Sequence, residues 1–176
     1  MEVIALKTIE TERLILRPFN VLDCDDVYEY AKESIVGYNA GWKPHESISE
    51  TIDIIQNVFI KNDDVWAIVL KEENKVIGSM GLHKRSAAGY ELGYVINPLY
   101  WNHGYATEAG KAALLYGFKI LDAPIITCVH FSDNLRSKRV IEKLGFGFKG
   151  INPMAYRRLD DKIVDLYIYA IYKEEK

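Results

Sequence analysis

Cysteine is scarce in this 176-residue chain, which contains only Cys24 and Cys128. The two lie far apart and neither belongs to a CxxC motif, so neither a disulfide framework nor a zinc site is expected. Two isolated cysteines are typical of a protein from a reducing compartment. The histidines are equally dispersed and show no metal-ligand spacing: His45, His83, His103 and His130. The sequence therefore predicts no metal site.

Long apolar runs and an excess of basic charge are also absent. No stretch approaches the roughly 20 apolar residues that a membrane-spanning helix needs. The first residues lack the basic and apolar regions of a signal peptide. The formal net charge of −3 argues against a nucleic-acid-binding protein, because phosphate contacts need a concentrated basic face. We therefore expect a cytoplasmic protein that binds neither membranes nor nucleic acid.

Repeats, low-complexity tracts and flexible linkers are missing too, which favours one domain over residues 1–176. Alternating or β-branched apolar residues predict strands at 13–19, 64–70, 75–83, 89–97, 125–131 and 162–172. Helical spacing predicts helices at 23–33, from 47 onward, at 104–120 and at 134–144, with a loop at 37–44 and a turn at 86–88. Caps are expected at Asp23, at a Ser47–Glu50 capping box and at Gly145. This element order predicts an α+β domain in which helices cover a mixed sheet.

The most informative stretch is the junction of a strand with a helix at residues 98–107. Gly104 and Ala106 are small, so a ligand phosphate could approach the backbone there. The first N–H groups of a helix are unpaired and carry the positive end of its dipole, which favours anions. The junction is thus a candidate pyrophosphate site, although small residues also begin helices that bind nothing.

This junction resembles the acetyl-CoA-binding motif of the GCN5-related N-acetyltransferase (GNAT) superfamily, through residues 98–109 (PLYWNHGYATEA). The likeness is greatest to the branch that contains the bacterial ribosomal-protein N-terminal acetyltransferases. Three further segments match in order, at residues 11–18, 76–82 and 134–146, so the resemblance spans almost the whole chain. One position departs from the superfamily pattern, because Trp101 stands where Gln or Arg is usual.

The resemblance implies a GNAT-like sandwich: a splayed mixed sheet of six to seven strands flanked by about four helices, with acetyl-CoA as co-substrate and no metal. The residues it assigns to acetyl-CoA are Tyr94, Val95 and Ile96 for the pantetheine arm, Asn102, His103, Gly104, Tyr105, Ala106 and Thr107 for the pyrophosphate, and Asn134 near the pantetheine. Asn134 could equally be a plain helix cap, and His103 a solvated loop residue.

Two residues are the candidates for proton transfer. Glu91 lies on the ligand-binding strand and could act as the base, directly or through water, although it could also be a salt-bridged strand residue. Ser137 matches a serine proposed as the acid in the ribosomal-protein branch, and Ile141 occupies the position where many members have a tyrosine acid. The resemblance also implies that a backbone N–H near Val95 or Ile96 polarises the thioester carbonyl.

The acceptor is the least defined partner. Trp42 lies in the breaker-rich loop, where it could wall an acceptor pocket or anchor the loop on the core. A protein N-terminus, a polyamine, an aminoglycoside and an amino-acid derivative all remain open, as does a homodimer, which is common in such folds.

The main hypothesis is an N-acetyltransferase in which a primary amine attacks acetyl-CoA directly in a ternary complex. No Cys or Ser nucleophile with a His partner is evident, which argues against an acyl-enzyme. One alternative is a non-catalytic acyl-CoA-binding module, which Ile141 keeps open. Another is a nucleotide-binding domain of a different fold, but the GxxxxGK[ST] and GxGxxG motifs are absent.

Overall fold

The computed structural model describes residues 6–62, 64–86 and 89–174. Within these residues there are eight strands: β1 (Ile9–Glu10), β2 (Leu14–Pro18), β3 (Val65–Leu70), β4 (Lys75–Lys84), β5 (Gly89–Ile96), β6 (Ile125–Phe131), β7 (Gly147–Arg157) and β8 (Ile163–Tyr172). The α-helices of the same residues are α1 (Cys24–Ala31), α2 (Ser34–Ala40), α3 (Ile48–Ile54), α4 (Tyr105–Lys119) and α5 (Leu135–Lys143). A π-helix, Ile55–Ile60, continues α3. The turn predicted at 86–88 lies partly outside the described residues, and residues 1–5 lie wholly outside them.

The strands form one sheet in the order β1-β2-β3-β4-β5-β6-β8-β7. All neighbours run antiparallel except β5 and β6, which are parallel. These two strands pair only over Gly89–Glu91 and Ile125–Thr127, and they diverge beyond that point. The predicted α+β class with a splayed mixed sheet is confirmed. Within the described residues the sheet has eight strands rather than six or seven, and five α-helices flank it rather than about four.

Two helix starts differ from their predicted caps. The Ser47 hydroxyl accepts a hydrogen bond from the backbone N–H of Glu50, as a capping box requires. The Glu50 carboxylate, however, accepts from the backbone N–H of Glu46 instead of Ser47, so the reciprocal half is not formed. Asp23 precedes α1 without a side-chain cap bond to it, and its carboxylate pairs with Arg17 at 2.7 Å. That ion pair ties the first helix to β2.

The sequence patterns missed β7 and α2. Strand β7 lies at the edge of the sheet, contains two irregularities in its register with β8 and carries Pro153, which an edge strand tolerates because its N–H side needs no partner. Its mostly exposed residues give no clean alternation. Helix α2 occupies the first half of the predicted 37–44 loop and ends at Gly41, whose φ of 81° is left-handed.

Helices pack on both faces of the sheet and enclose two apolar cores. One core lies under α4 and α5 and includes Ile68, Met80 and Leu92 from the strands. The other lies under α1 to α3 and includes Ala67 and Val69, the strand neighbours of Ile68. Successive strand residues point to opposite faces, so each strand supplies both cores in turn. Any site at the β5–β6 divergence is therefore accessible to residues from both faces.

None of the helices in the described residues is both long enough and apolar enough to cross a membrane.

Candidate active site

A cavity of about 880 Å³ runs through the molecule where β5 and β6 diverge. Its walls come from both faces of the sheet, with the N-terminus of α4 and one side of α5 at one end and α1 to α3 at the other. Every residue predicted for the site lines it except His103: Trp42, Glu91, Tyr94, Val95, Ile96, Asn102, Gly104, Tyr105, Ala106, Thr107, Asn134 and Ser137. The structure thus brings together residues that are up to 95 positions apart in the sequence.

The loop before α4 turns the chain sharply into the helix. Asn102 has a φ of 66° and Gly104 a φ of 83°, both in the left-handed region. A Cβ added at Gly104 would meet Arg13 Nη2 at 3.6 Å, which is an ordinary contact distance. Within the protein, glycine is therefore required by its backbone conformation rather than by lack of room. The turn leaves the first N–H groups of α4 facing the cavity end without helical partners.

The turn between β1 and β2 holds this loop in place. Glu108, in the first turn of α4, accepts hydrogen bonds from Thr11 Oγ1 at 2.6 Å and from Arg13 Nε at 2.7 Å. Arg13 also donates to the backbone carbonyl of His103 at 3.0 Å and lies over the Tyr105 ring at 4.6 Å. Burial opposes the charge on Glu108, but the hydrogen bonds from Thr11 and Arg13 keep its pKa below the usual value. The loop is thereby fixed before any ligand binds.

A basic face of α5 borders the same end of the cavity. Arg136, Arg139 and Lys143 line it, and their spacing of three and four places them on one side of the helix. The Arg136 guanidinium lies 4.4 Å from the centre of the Trp101 ring. Trp101 in turn donates its indole N–H to the carbonyl of Ile96 at 2.8 Å. Free helix N–H groups together with this basic face fit a polyphosphate such as that of coenzyme A.

The gap between β5 and β6 is the middle of the cavity. The parallel pairing stops at Glu91 and Thr127, while Leu92 to Ile96 and Cys128 to Phe131 line the opening. In the described part of the chain, no strand pairs with this edge of β5. An extended ligand with amide groups, such as a pantetheine arm, can add to such an edge as a strand does.

A tyrosine–serine pair faces the opening from the α5 side. The Tyr94 hydroxyl lies 2.8 Å from Ser137 Oγ and also donates to the Ser137 carbonyl at 3.1 Å. Burial raises the pKa of Tyr94 far above its usual value, so its hydroxyl stays protonated. Asn134 caps α5 by accepting from the Ser137 N–H at 3.2 Å, and it lines the cavity as well. The predicted cap and the predicted ligand contact are compatible in one residue.

Glu91 lies at the opposite face, where it is ion-paired. Its carboxylate accepts from Arg85 Nη2 at 2.7 Å, and its side chain is 26% exposed. Glu91 is therefore salt-bridged and also lines the cavity, and its role as the base stays a prediction. Nearby, burial and secondarily the charge of Glu91 raise the pKa of the Cys128 thiol to about 12. A thiol kept neutral in this way is a poor nucleophile.

A histidine–aspartate pair, which the sequence patterns missed, lies beside Glu91. His83 Nδ1 is 2.6 Å from Asp64 Oδ2, and both side chains are about one-third exposed and line the cavity. His83 is directly across from Glu91 in the β4–β5 register. This side of the cavity thus holds two carboxylates and one imidazole within a short stretch of the sheet.

Aromatic side chains form the outer wall of this side. The Trp42 ring lies 5.2 Å from the ring of His45, which is buried and hydrogen-bonded to Thr51 at 2.9 Å. The Tyr156 hydroxyl donates to the carbonyl of Gly41 at 3.0 Å and so ties the loop to β7. Trp42 is therefore anchored and also lines the cavity, and its contact with an acceptor stays a prediction.

The family model for the acetyltransferase (GNAT) domain matches residues 13–147. The chain belongs to the GNAT acetyltransferase family. A curated relative, the uncharacterized N-acetyltransferase YnaD of Bacillus subtilis, is 32% identical to it, with 95% of this chain and 98% of the relative covered. A GNAT-family acetyltransferase from Bacillus anthracis has a similar solved structure, with a TM-score of 0.87 and 32% identity over 96% of this chain and 100% of that one.

A more distant solved structure shares the GNAT fold. It is the ribosomal L7/L12 alpha-N-protein acetyltransferase RimL in complex with coenzyme A, with a TM-score of 0.81 at 16% identity over 94% of this chain and 98% of that one. The predicted membership of the GNAT superfamily is confirmed, and the protein is an acyltransferase. GNAT enzymes use acetyl-CoA as the acetyl donor.

Three positions of the GNAT pattern have particular surroundings here. Ile141, at the usual tyrosine position, is fully buried in the core under α4 and α5, so it has no access to a ligand. Trp101 has its indole N–H committed to Ile96 and supplies no phosphate donor from that atom. His103 does not line the cavity, since its ring is hydrogen-bonded to the carbonyl of Trp101 at 2.8 Å and stacked on Tyr105.

The residues that sequence reasoning missed in this GNAT site have weak signals. His83 and Asp64 are 19 positions apart and become neighbours only through the β3–β4 pairing. The α5 face of Arg136, Arg139 and Lys143 was visible as i, i+3, i+7 spacing and could have been read as a phosphate-facing stripe. In the described residues, no group of three or more His, Cys, Asp or Glu is placed to hold a metal ion.

Proposed function

We propose that this enzyme transfers the acetyl group of acetyl-CoA to a primary amine, of a protein N-terminus or of a small molecule, by direct attack in a ternary complex. The observation that carries the proposal is the continuous cavity through the sheet at the β5–β6 divergence. It joins a phosphate-binding end on the α4–α5 face to an end with carboxylates and aromatic walls on the α1–α3 face. Two substrates could therefore enter from opposite faces and meet between the strands.

The chain's own residues would hold acetyl-CoA at the first end. The N–H groups of Tyr105, Ala106 and Thr107 lie at the positive end of the α4 dipole, where an anionic pyrophosphate is stabilised. Arg136 and Arg139 add positive charge beside them. The free edge of β5 would bind the pantetheine arm, and a backbone N–H at Val95 or Ile96 would polarise the thioester carbonyl.

Ser137 is proposed as the proton donor to the departing sulfur. Acetyl-CoA supplies a thioester, whose C–S bond breaks as the amine nitrogen forms its bond to the carbonyl carbon. Ser137 would protonate the thiolate and recover its proton from water, while the Tyr94 hydroxyl at 2.8 Å holds the serine in place. This pair supplies hydroxyl groups at the gap although the usual tyrosine position is Ile141.

The acceptor's proton would leave on the other face of the sheet, where Glu91 lies. We propose that Glu91 attracts the ammonium and assists its deprotonation, directly or through water. The carboxylate can attract a cationic amine even while Arg85 is its partner at 2.7 Å. Transfer without an acyl-enzyme agrees with the high pKa of Cys128, a thiol that lines the cavity. Trp42 would contact the body of the acceptor.

The test is release of coenzyme A thiol from acetyl-CoA with a panel of amines: a polyamine, an aminoglycoside, amino-acid derivatives and peptides with free N-termini. The proposed function predicts amine-dependent thiol release and an acetylated amine of the expected mass for at least one class. Tight acetyl-CoA binding without turnover on any amine would instead support a non-catalytic acyl-CoA-binding module.

A further inference from the structure

Two glycines leave room for the imidazole ring of His83. An ideal Cβ at Gly81 would lie 2.8 Å from His83 Nε2, closer than real Cβ contacts, and one at Gly93 would lie 3.5 Å from the same nitrogen. Gly81 and Gly93 are direct partners across β4 and β5. The imidazole therefore lies over a patch of sheet without side chains. Its Nε2 lies against these two glycines, and the side chain lines the cavity.

Asp64 orients this ring. The carboxylate at 2.6 Å from Nδ1 favours the tautomer in which Nδ1 carries the hydrogen, which leaves the Nε2 lone pair available as an acceptor. Within the described part of the chain, Nε2 has no hydrogen-bond partner. An aspartate that fixes the tautomer of a histidine base is a recurring arrangement in enzymes, since it also stabilises the imidazolium that forms.

The other imidazoles on the cavity are committed elsewhere. His130 Nδ1 is 2.8 Å from the Phe131 carbonyl and its Nε2 is 3.4 Å from the Tyr169 hydroxyl. His45 is buried against Thr51. Burial lowers the pKa of both His45 and His130, so neither holds a proton readily. Among the cavity-lining histidines, His83 alone combines exposure to the cavity with a nitrogen that is free within the described residues.

Several charged groups surround His83 on this side of the cavity. Asp64, at the start of β3, binds Nδ1, and Glu91, across on β5, lies beside the ring with Arg85 as its partner. Glu50 lines the same cavity from α3. The net negative character attracts an ammonium, but Glu91 is already engaged by a guanidinium and Asp64 by the imidazole. Glu50 accepts from the backbone N–H of Glu46, so among these described groups His83 Nε2 is the acceptor without a hydrogen-bond partner.

Resting on the proposed function, we propose that His83 is the catalytic base of the acetyl transfer and that Asp64 is its positioning residue. Nε2 takes one proton from the ammonium, and the neutral amine nitrogen then bonds to the thioester carbonyl carbon. The C–S bond then breaks with its electron pair going to sulfur, and the second proton of the nitrogen passes to the thiolate through water or the Ser137 hydroxyl. His83 releases the first proton to solvent. The Glu91 carboxylate, still paired with Arg85, attracts the ammonium to this end of the cavity.

The experiment measures kcat/KM for His83→Gln, Asp64→Asn and Glu91→Gln, with acetyl-CoA affinity and the unfolding midpoint recorded for each. Acceptors of one amine class with different basicities are compared, first with the wild-type protein. Lys84→Gln is the matched control, because Lys84 is the next residue on β4 and its exposed side chain does not line the cavity.

His83→Gln is expected to lower kcat/KM by about 10²- to 10⁴-fold with alkyl amines, the range for a general base, while acetyl-CoA affinity is kept. The loss should shrink with weakly basic amines, which arrive already neutral, and imidazole should restore part of the activity of His83→Ala. Asp64→Asn should show a smaller loss with the same dependence on amine basicity, which a merely structural role would not produce.

Two results would overturn the assignment. One is wild-type activity in His83→Gln with all amines, and the other is an equal loss for all amines regardless of their basicity. An active wild-type protein whose rate depends on Glu91 alone overturns only the role of His83. An inactive wild-type protein, with every amine in the panel, overturns the proposed function and the base together.

Discussion

Replacing Gly104 by alanine tests whether the turn before α4 shapes the coenzyme A site. Gly104 has a φ of 83°, and a residue with a Cβ costs about 1–2 kcal/mol more in this left-handed region. The new Cβ would meet Arg13 Nη2 at 3.6 Å, so the cost comes from the backbone and not from a clash. The loop is exposed, so we expect it to relax and turn the first N–H groups of α4 out of position.

Acetyl-CoA binding would have to restore the left-handed turn, so the binding free energy would fall by about the cost of that conformation. A cost of about 1–2 kcal/mol corresponds to an acetyl-CoA affinity about 5- to 30-fold weaker, measured by calorimetric titration. Gly145→Ala is the matched control, because Gly145 has a φ of 85°, lies off the cavity wall, and would place a new Cβ more than 4 Å from its surroundings in the described residues. It should lose similar stability toward denaturant and keep wild-type affinity. Wild-type acetyl-CoA affinity in both variants, or an equal loss of affinity in both, would show that the Gly104 turn does not shape the coenzyme A site.

Two further predictions concern the reaction and the acceptor. Ser137→Ala should lower kcat by about tenfold, since a thiolate is a moderate leaving group, and Tyr94→Phe should show a smaller loss of the same kind because it removes the hydroxyl 2.8 Å from Ser137. Steady-state rates with acyl donors of different thiol acidity check this, and an effect that follows the amine instead would contradict it. Trp42→Ala should raise the KM of the amine more than that of acetyl-CoA, if Trp42 lines the part of the cavity that binds the acceptor, as proposed. Equal changes in the KM of the amine and of acetyl-CoA would indicate that Trp42 only packs against its neighbours.

Most of the fold could be predicted because the local patterns agree with the tertiary structure. The strand at 125–131 and the helix at 134–144 match β6 and α5 closely, and Gly145 has the left-handed conformation expected after a helix. Strand β7 could not be predicted, because an edge strand with register shifts and a proline has no period-two pattern. Helix α2 has only seven residues and contains a glycine, so a helical spacing of apolar residues is not evident in its sequence.

The site divides in the same way. The residues at 98–107 are contiguous, so their proposed role in phosphate binding could be inferred from small residues at a helix start. The Tyr94–Ser137 and His83–Asp64 contacts join residues 43 and 19 positions apart, and they depend on strand register and on the crossing of α5 over the sheet. Side-chain pairing of this kind leaves no periodic signal. His103 shows the opposite case, because a residue inside the motif points away from the cavity.

In the proposed complex, the gap between β5 and β6 holds the pantetheine arm while the N-terminus of α4 holds the pyrophosphate. Calorimetric titration of the protein with acetyl-CoA, and in parallel with ADP, separates the two contributions. We expect one acetyl-CoA per chain, displacement of any bound ADP, and a clearly weaker affinity for ADP, because ADP reaches only the phosphate end. Equal affinity for the two ligands, or no heat of binding with acetyl-CoA, would contradict this arrangement.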